Sequence, residues 1–152
     1  MDSISDGGKF AARRRARVLA LSALYQIDLL KKPAEQVIKE VHEGVSDQPE
    51  SLYFLESKDR RDALEYFDLL IRGVAENLPN LDKEIQSHLE NWTLERVGRI
   101  ERAILRLGCY ELLHRQDVPA AVSLNEMVEL SKSFCDVKSK DFVNGVLDAI
   151  AP

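Results

Sequence analysis

The sequence predicts an all-α protein, a compact bundle of about seven helices in two helical sub-bundles. Three observations predict it. Apolar residues recur at three- and four-residue spacing along nearly the whole chain, and no stretch shows the period-two alternation of a half-buried strand. Prolines and capping residues fall between the periodic segments. With 152 residues, 45% hydrophobic and 31% charged, the chain is long enough to bury a real core and has an ordinary globular composition.

Residues 1–9 are polar with two glycines and read as a flexible N-terminal tail, leaving 10–152 as a single all-helical domain. The first helix should run from about Phe10 to Leu30. Val18, Leu21, Tyr25 and Leu29 form one stripe, but Leu19, Leu24 and Ile27 lie on other sides, so this helix is central or touches a partner. Pro33 suits a first turn and opens a short helix ending near Gly44, with Val37, Ile38 and Val41 on one face. Residues 46–57 contain Pro49 and read as a loop whose Leu52, Tyr53, Phe54 and Leu55 pack. A long helix from Lys58 to Leu78 follows, stopped by Pro79, and Asn80 should cap a short helix through Leu89. Thr93 should cap a helix from Leu94 to about Leu113, with Val97, Ile100, Ile104, Leu107 and Gly108 inward and Arg99, Arg102 and Arg106 on the opposite face. Asp117-Val118-Pro119 is a turn. A sixth helix runs from about Ala121 to Phe134, and Ser139 should cap a seventh whose stripe is Val143, Val146, Leu147 and Ile150.

The same residues argue against several functions. No apolar run approaches the roughly 18 residues a membrane span needs, so no membrane role is expected. The N-terminus lacks the apolar core of a secretion signal, and Cys109 and Cys135 stand apart without a CxxC partner, which suits a cytoplasmic protein with reduced thiols. His42, His88 and His114 are isolated on different helices, and neither HxxxH nor HExxH occurs, so no metal is expected. No glycine-rich phosphate loop follows a strand, and no acid–base set is evident, so neither a cofactor nor catalysis is expected. Cys135 lies among lysines that would lower its pKa.

Charge is where the chain becomes specific. The first 17 residues carry five Lys/Arg and two Asp/Glu, whereas the remainder carries 16 and 24. Arg13, Arg14, Arg15 and Arg17 fall within five positions. Arg13 and Arg17 share a helical face with Ala20 and Leu24, while Arg14 and Arg15 point elsewhere. Cations at a helix N-terminus oppose the macrodipole, so they invite an anionic ligand there. Guanidinium forks match phosphate oxygens and release counterions, making a nucleic-acid backbone the first candidate. Near the C-terminus, Lys132, Lys138 and Lys140 interleave with Phe134 and Phe142, a combination of phosphate attraction and base-stacking faces suited to single strands. Two carboxylates fall on or beside the apolar stripe of the fifth helix. Glu111 reaches Arg115 one turn on; Glu101 has Leu105 at that distance and needs a partner from elsewhere.

Several blocks carry a family resemblance. Ala12-Arg13-Arg14-Arg15-Ala16-Arg17 with Ala23-Leu24-Tyr25 resembles the opening of the bacterial NusB family. So do Ile100-Glu101-Arg102-Ala103-Ile104-Leu105-Arg106 with Tyr110-Glu111-Leu112, and Asp117-Val118-Pro119 with Asn125, Glu126, Glu129, Lys132 and Phe134. Ser139 followed by Phe142-Val143-Asn144-Gly145-Val146-Leu147-Asp148 completes the series.

The resemblance implies an all-helical transcription antitermination factor that binds boxA RNA of ribosomal RNA leader transcripts. It implies pairing with NusE, a ribosomal small-subunit protein, within an RNA polymerase antitermination complex, and it admits a homodimer formed through the RNA-binding region. Carried over, Arg13, Arg14, Arg15 and Arg17 contact the RNA backbone. Phe142, with Lys138 and Lys140, lines the RNA site, and Tyr25 and Glu101 match positions used for NusE or RNA. Asn144 either reads a base edge or braces the last helix. Two other classes compete. A helical DNA-binding regulator would use the same arginines, but no helix-turn-helix is evident. A helical adaptor without nucleic-acid binding would dock an acidic partner on them.

Overall fold

A computed structural model describes residues 2–47 and 57–152, with the backbone alone described for 2–7, 46–47 and 57. The described residues form six α-helices and a short 3-10 turn, with no strand among them. They are α1 (Asp2–Leu30), α2 (Ala34–Asp47), α3 (Ser57–Gln86), the 3-10 turn Leu94–Arg96, α4 (Arg99–His114), α5 (Ala120–Phe134) and α6 (Ser139–Ile150). The chain divides into two compact units, Met1–Arg72 and Gly73–Pro152, with the boundary inside α3.

The first unit is built on small residues. Ala12, Ala16, Ala20 and Ala23 are wholly buried along one line of α1. Ala12 packs with Ala63, and Gly8 approaches the Asp59 carboxylate so closely that a Cβ there would lie 2.9 Å from its oxygen. The partners on α3 rise in step with those on α1, so the two helices run parallel. On α2, Val37 and Ile38 are buried as expected. Two polar links tie α2 to α3. Arg72 donates twice to the Glu35 carboxylate, at 2.8 and 2.9 Å, which holds that carboxyl below its ordinary pKa. His42 meets Asp68 at 2.7 Å. The expected loop over residues 46–57 and its packed Leu52, Tyr53, Phe54 and Leu55 lie outside the described residues, save the helical ends at 46–47 and 57.

In the second unit, α4 is the central helix, buried almost continuously from Arg102 to Leu112. Both α5 and α6 pack on it and on each other. Gly108 marks their meeting point, since a Cβ there would lie 2.6 Å from Leu147 and 2.9 Å from Met127. Gly73 plays a similar part beneath the Tyr110 ring.

Several expectations are corrected. α1 is already helical at Asp2, ahead of the start expected at about Phe10. Pro79 does not stop α3, and Asn80 caps nothing; the helix continues to Gln86. The proline ring lies on the exposed side, while Leu81 and Ile85 are wholly buried beyond it. Burial of that second stripe outweighs the roughly 3 kcal/mol penalty of an interior proline. Thr93 precedes the 3-10 turn without a side-chain cap, and α4 starts only at Arg99. Ser139 is the first residue of α6 rather than its cap. Asp136 performs that task, its Oδ1 accepting the Lys138 and Ser139 amides at 3.1 and 3.2 Å. The short segments expected after Pro79 and before Arg99 thus resolve into one continuous helix and one turn, reducing seven helices to six.

Candidate nucleic-acid interface

In α1, the four arginines divide by depth. Arg17 is only 2% exposed, so it presents no guanidinium face to an incoming strand. Its guanidinium carbon lies 5.6 Å from the centre of the Tyr66 ring, and that of Arg13 lies 4.5 Å from the same ring. Tyr66 is itself buried on α3. Arg14 is exposed and lies 5.5 Å from the centre of the Phe10 ring, one turn earlier on the same helix. Arg15 is half-buried. Cations within about 6 Å of a ring centre are attracted by its quadrupole, so Arg13 and Arg14 each have a favoured resting place. Neither Phe10 nor Tyr66 was singled out as a site residue by sequence reasoning. Phe10 at four residues before Arg14 was the available signal; Tyr66 lies on another helix and gave none.

The macrodipole does not act on these cations as expected. With α1 starting at Asp2, Arg13 lies about three turns inside the helix, beyond the first turn where the field is felt. What remains is the local density of positive charge on an otherwise acidic chain.

The second basic site lies where α5 ends and α6 begins. Lys132 is exposed and pairs with Glu129 at 3.1 Å. Phe134 is 46% exposed and Val137 82%. Lys138 and Asn144 are exposed, whereas Lys140 and Phe142 are half-buried. The turn between the helices is pinned from beneath, because the Ser139 hydroxyl lies 2.9 Å from Glu101 Oε2 and 3.1 Å from Asp136 Oδ1. Glu101 thus finds the partner its own helix lacks within this unit. Burial, then the charges of Glu101 and Asp136, push the Cys135 thiol up to about 11. The expected lowering by nearby lysines is therefore reversed, first by burial and then by the two carboxylates. Burial likewise pushes Cys109 up to about 12.

Other polar residues of the second unit are structural. Glu111 is wholly buried and its Oε1 accepts from the Ser123 hydroxyl at 2.9 Å, joining α4 to α5. Arg102 and Arg106, expected on an open face, are respectively buried and bonded twice to Asp82 at 2.8 and 2.9 Å. Tyr25 is half-exposed on α1 of the first unit. His88 lies 3.4 Å from Glu84, and His114 stacks on Tyr110. Among the described residues no three His, Cys, Asp or Glu side chains converge as metal ligands, and no helix is long and apolar enough to cross a membrane.

Comparison with known proteins places this geometry in context. The model of the NusB family matches residues 14–152. The transcription antitermination protein NusB of Bacillus velezensis is 42% identical over 138 residues, covering 91% of this chain and 94% of that protein. Its counterpart from Listeria monocytogenes is 38% identical over 140 residues, covering 92% and 96%. Among solved structures, NusB of T. maritima is similar with a TM-score of 0.77 and 35% identity, covering 91% of this chain and 89% of that one. A NusB solved with NusE and double-stranded RNA is similar with a TM-score of 0.77 and 32% identity, covering 92% and 96%.

Proposed function

The chain belongs to the NusB family, and we propose that it acts in transcription antitermination by binding boxA RNA of ribosomal RNA leader transcripts and pairing with NusE in an RNA polymerase antitermination complex. The accessible arginine face of α1 carries this proposal. Arg13 and Arg14, each resting on an aromatic ring, and the neighbouring Arg15 hold the phosphate backbone. Arg17 serves from below, filling the space against Tyr66 that fixes Arg13. Lys132, Lys138 and Lys140 supply a second phosphate-attracting surface, and Phe134, Phe142 and Asn144 meet unstacked bases. Phosphate contacts set position and affinity; the bases carry specificity.

Tyr25 contributes to the partner surface. Glu101 acts within the second unit, holding the N-terminus of α6 through Ser139. The acidic remainder of the chain repels unspecific RNA and suits a basic ribosomal protein. Residues 10–152 work as one RNA-binding domain in the cytoplasm, and the role is binding, without a catalytic step. That a relative has been solved with NusE and RNA supports this reading over a DNA-binding regulator or a plain adaptor.

The deciding experiment titrates labelled boxA RNA at two salt concentrations, with and without NusE, against duplex DNA of matched length. The expected result is salt-sensitive RNA binding that NusE strengthens. Preference for duplex DNA, or equal indifference to both, would overturn it.

A further inference from the structure

Phe10 is 46% exposed, and its neighbours in sequence are Lys9, Arg13, Arg14 and Arg15. A phenyl ring left in water forgoes burial that a ligand would supply. An apolar protein surface is a poor occupant, because docking there would strip water from the surrounding cations. A single-stranded polynucleotide satisfies both demands, since it presents phosphates to the cations and flat bases to the ring. Helical spacing sets Arg14 one turn beyond Phe10, and its guanidinium rests 5.5 Å from the ring centre. Ring and cation therefore form one unit, the guanidinium lying over the ring and the exposed remainder of the ring left for a ligand.

We propose that Phe10 is a base-stacking subsite, taking one unstacked nucleobase of the bound RNA on its exposed ring while Arg14 meets the adjoining phosphate. Phe10 stands outside the arginine and Phe142 positions that the family resemblance carries over, so this subsite is an addition to that interface. It deepens the RNA reading of α1 and depends on it.

The test compares two labelled single-stranded oligonucleotides, boxA RNA and the same strand with abasic nucleotides, binding to the 152-residue chain. Phe10→Ala should weaken the base-bearing strand about tenfold and leave its salt slope unchanged. The abasic strand should change less than about twofold, since it has nothing to stack. Phe10→Trp should restore wild-type affinity. Arg14→Ala should weaken both strands and flatten the salt slope by about 0.7. Equal losses on both strands, or no loss on either while the wild type binds, would overturn the subsite and leave the RNA reading standing. A loss confined to NusE capture would assign Phe10 to a protein contact and overturn it too. If the wild type fails to bind either strand, the RNA reading itself falls, and the subsite with it.

Discussion

The two basic surfaces are built on different principles. In the first unit the cations are arginines laid against aromatic rings, Arg13 on Tyr66 and Arg14 on Phe10, over a buried Arg17. In the second they are lysines around a turn whose backbone, rather than whose charges, is fixed by Asp136, Ser139 and Glu101. Arginine loses less freedom per bond when its planar fork is already oriented, whereas lysine is a mobile point charge. The first surface is thus suited to gripping phosphates in set positions. The second leaves its lysines adaptable beside Phe134 and Phe142, the rings that the proposed RNA reading assigns to bases.

Replacing Arg13, Arg14 and Arg15 together by alanine should have the largest effect. At roughly 1 kcal/mol per solvated contact, RNA binding weakens by about 3 kcal/mol. The salt slope flattens by about 2, and the fold is retained. Arg17→Ala should do the reverse. Removing a buried side chain leaves a cavity against Tyr66 and costs about 2–3 kcal/mol of stability, read in denaturant, while the RNA salt slope holds. If Arg17→Ala instead flattened the slope with no loss of stability, the division between gripping and supporting arginines would be wrong. On the second surface, Phe142→Ala should weaken RNA binding by about 1–3 kcal/mol without altering the slope. A fall in thermal stability with unchanged RNA affinity would show that its half-buried ring serves the core.

Much of this was legible in the sequence because helical periodicity is a local property. The all-helical class, the buried stripe of Val143, Val146, Leu147 and Ile150, and the arginine run needed no tertiary information. What escaped depended on contacts between distant residues. Pro79 carries a strong local stop signal, and only the burial of Leu81 and Ile85 beyond it keeps α3 continuous. The sequence put Arg13 and Arg17 on one helical face, but that Arg17 is buried there could not be read from it, because the Tyr66 ring both arginines meet lies about fifty residues away. Ser139 resembles a cap by type, yet the carboxylate of Asp136 three residues earlier takes the amides because an ionised acceptor binds them more strongly. Glu101 lacked a partner on its own helix, and its acceptor role toward Ser139 spans 38 residues.

The smallest expected effect tests whether that pinned turn exists in solution. Cys135 is pushed up to about 11, first by burial and then by the charges of Glu101 and Asp136. Glu101→Gln removes one of those charges and keeps the side chain's shape. The thiolate is then less disfavoured, so its pKa falls part of the way toward the ordinary 9.0. Alkylation of Cys135 at pH 9 should therefore quicken by roughly two- to threefold, about half a pKa unit. Cys109, raised by burial with Glu84 and Asp82 rather than Glu101, serves as the internal control and should not change. A neutral thiol is favoured in the folded state, so stability is full below pH 9 and declines as pH rises toward 11; the substitution should soften that decline. If Cys135 reacts at the same rate in both proteins, Glu101 does not stand beside it. The turn of the second surface would then rest on Asp136 alone, and the contrast with the arginine face would be sharper than the structure draws it.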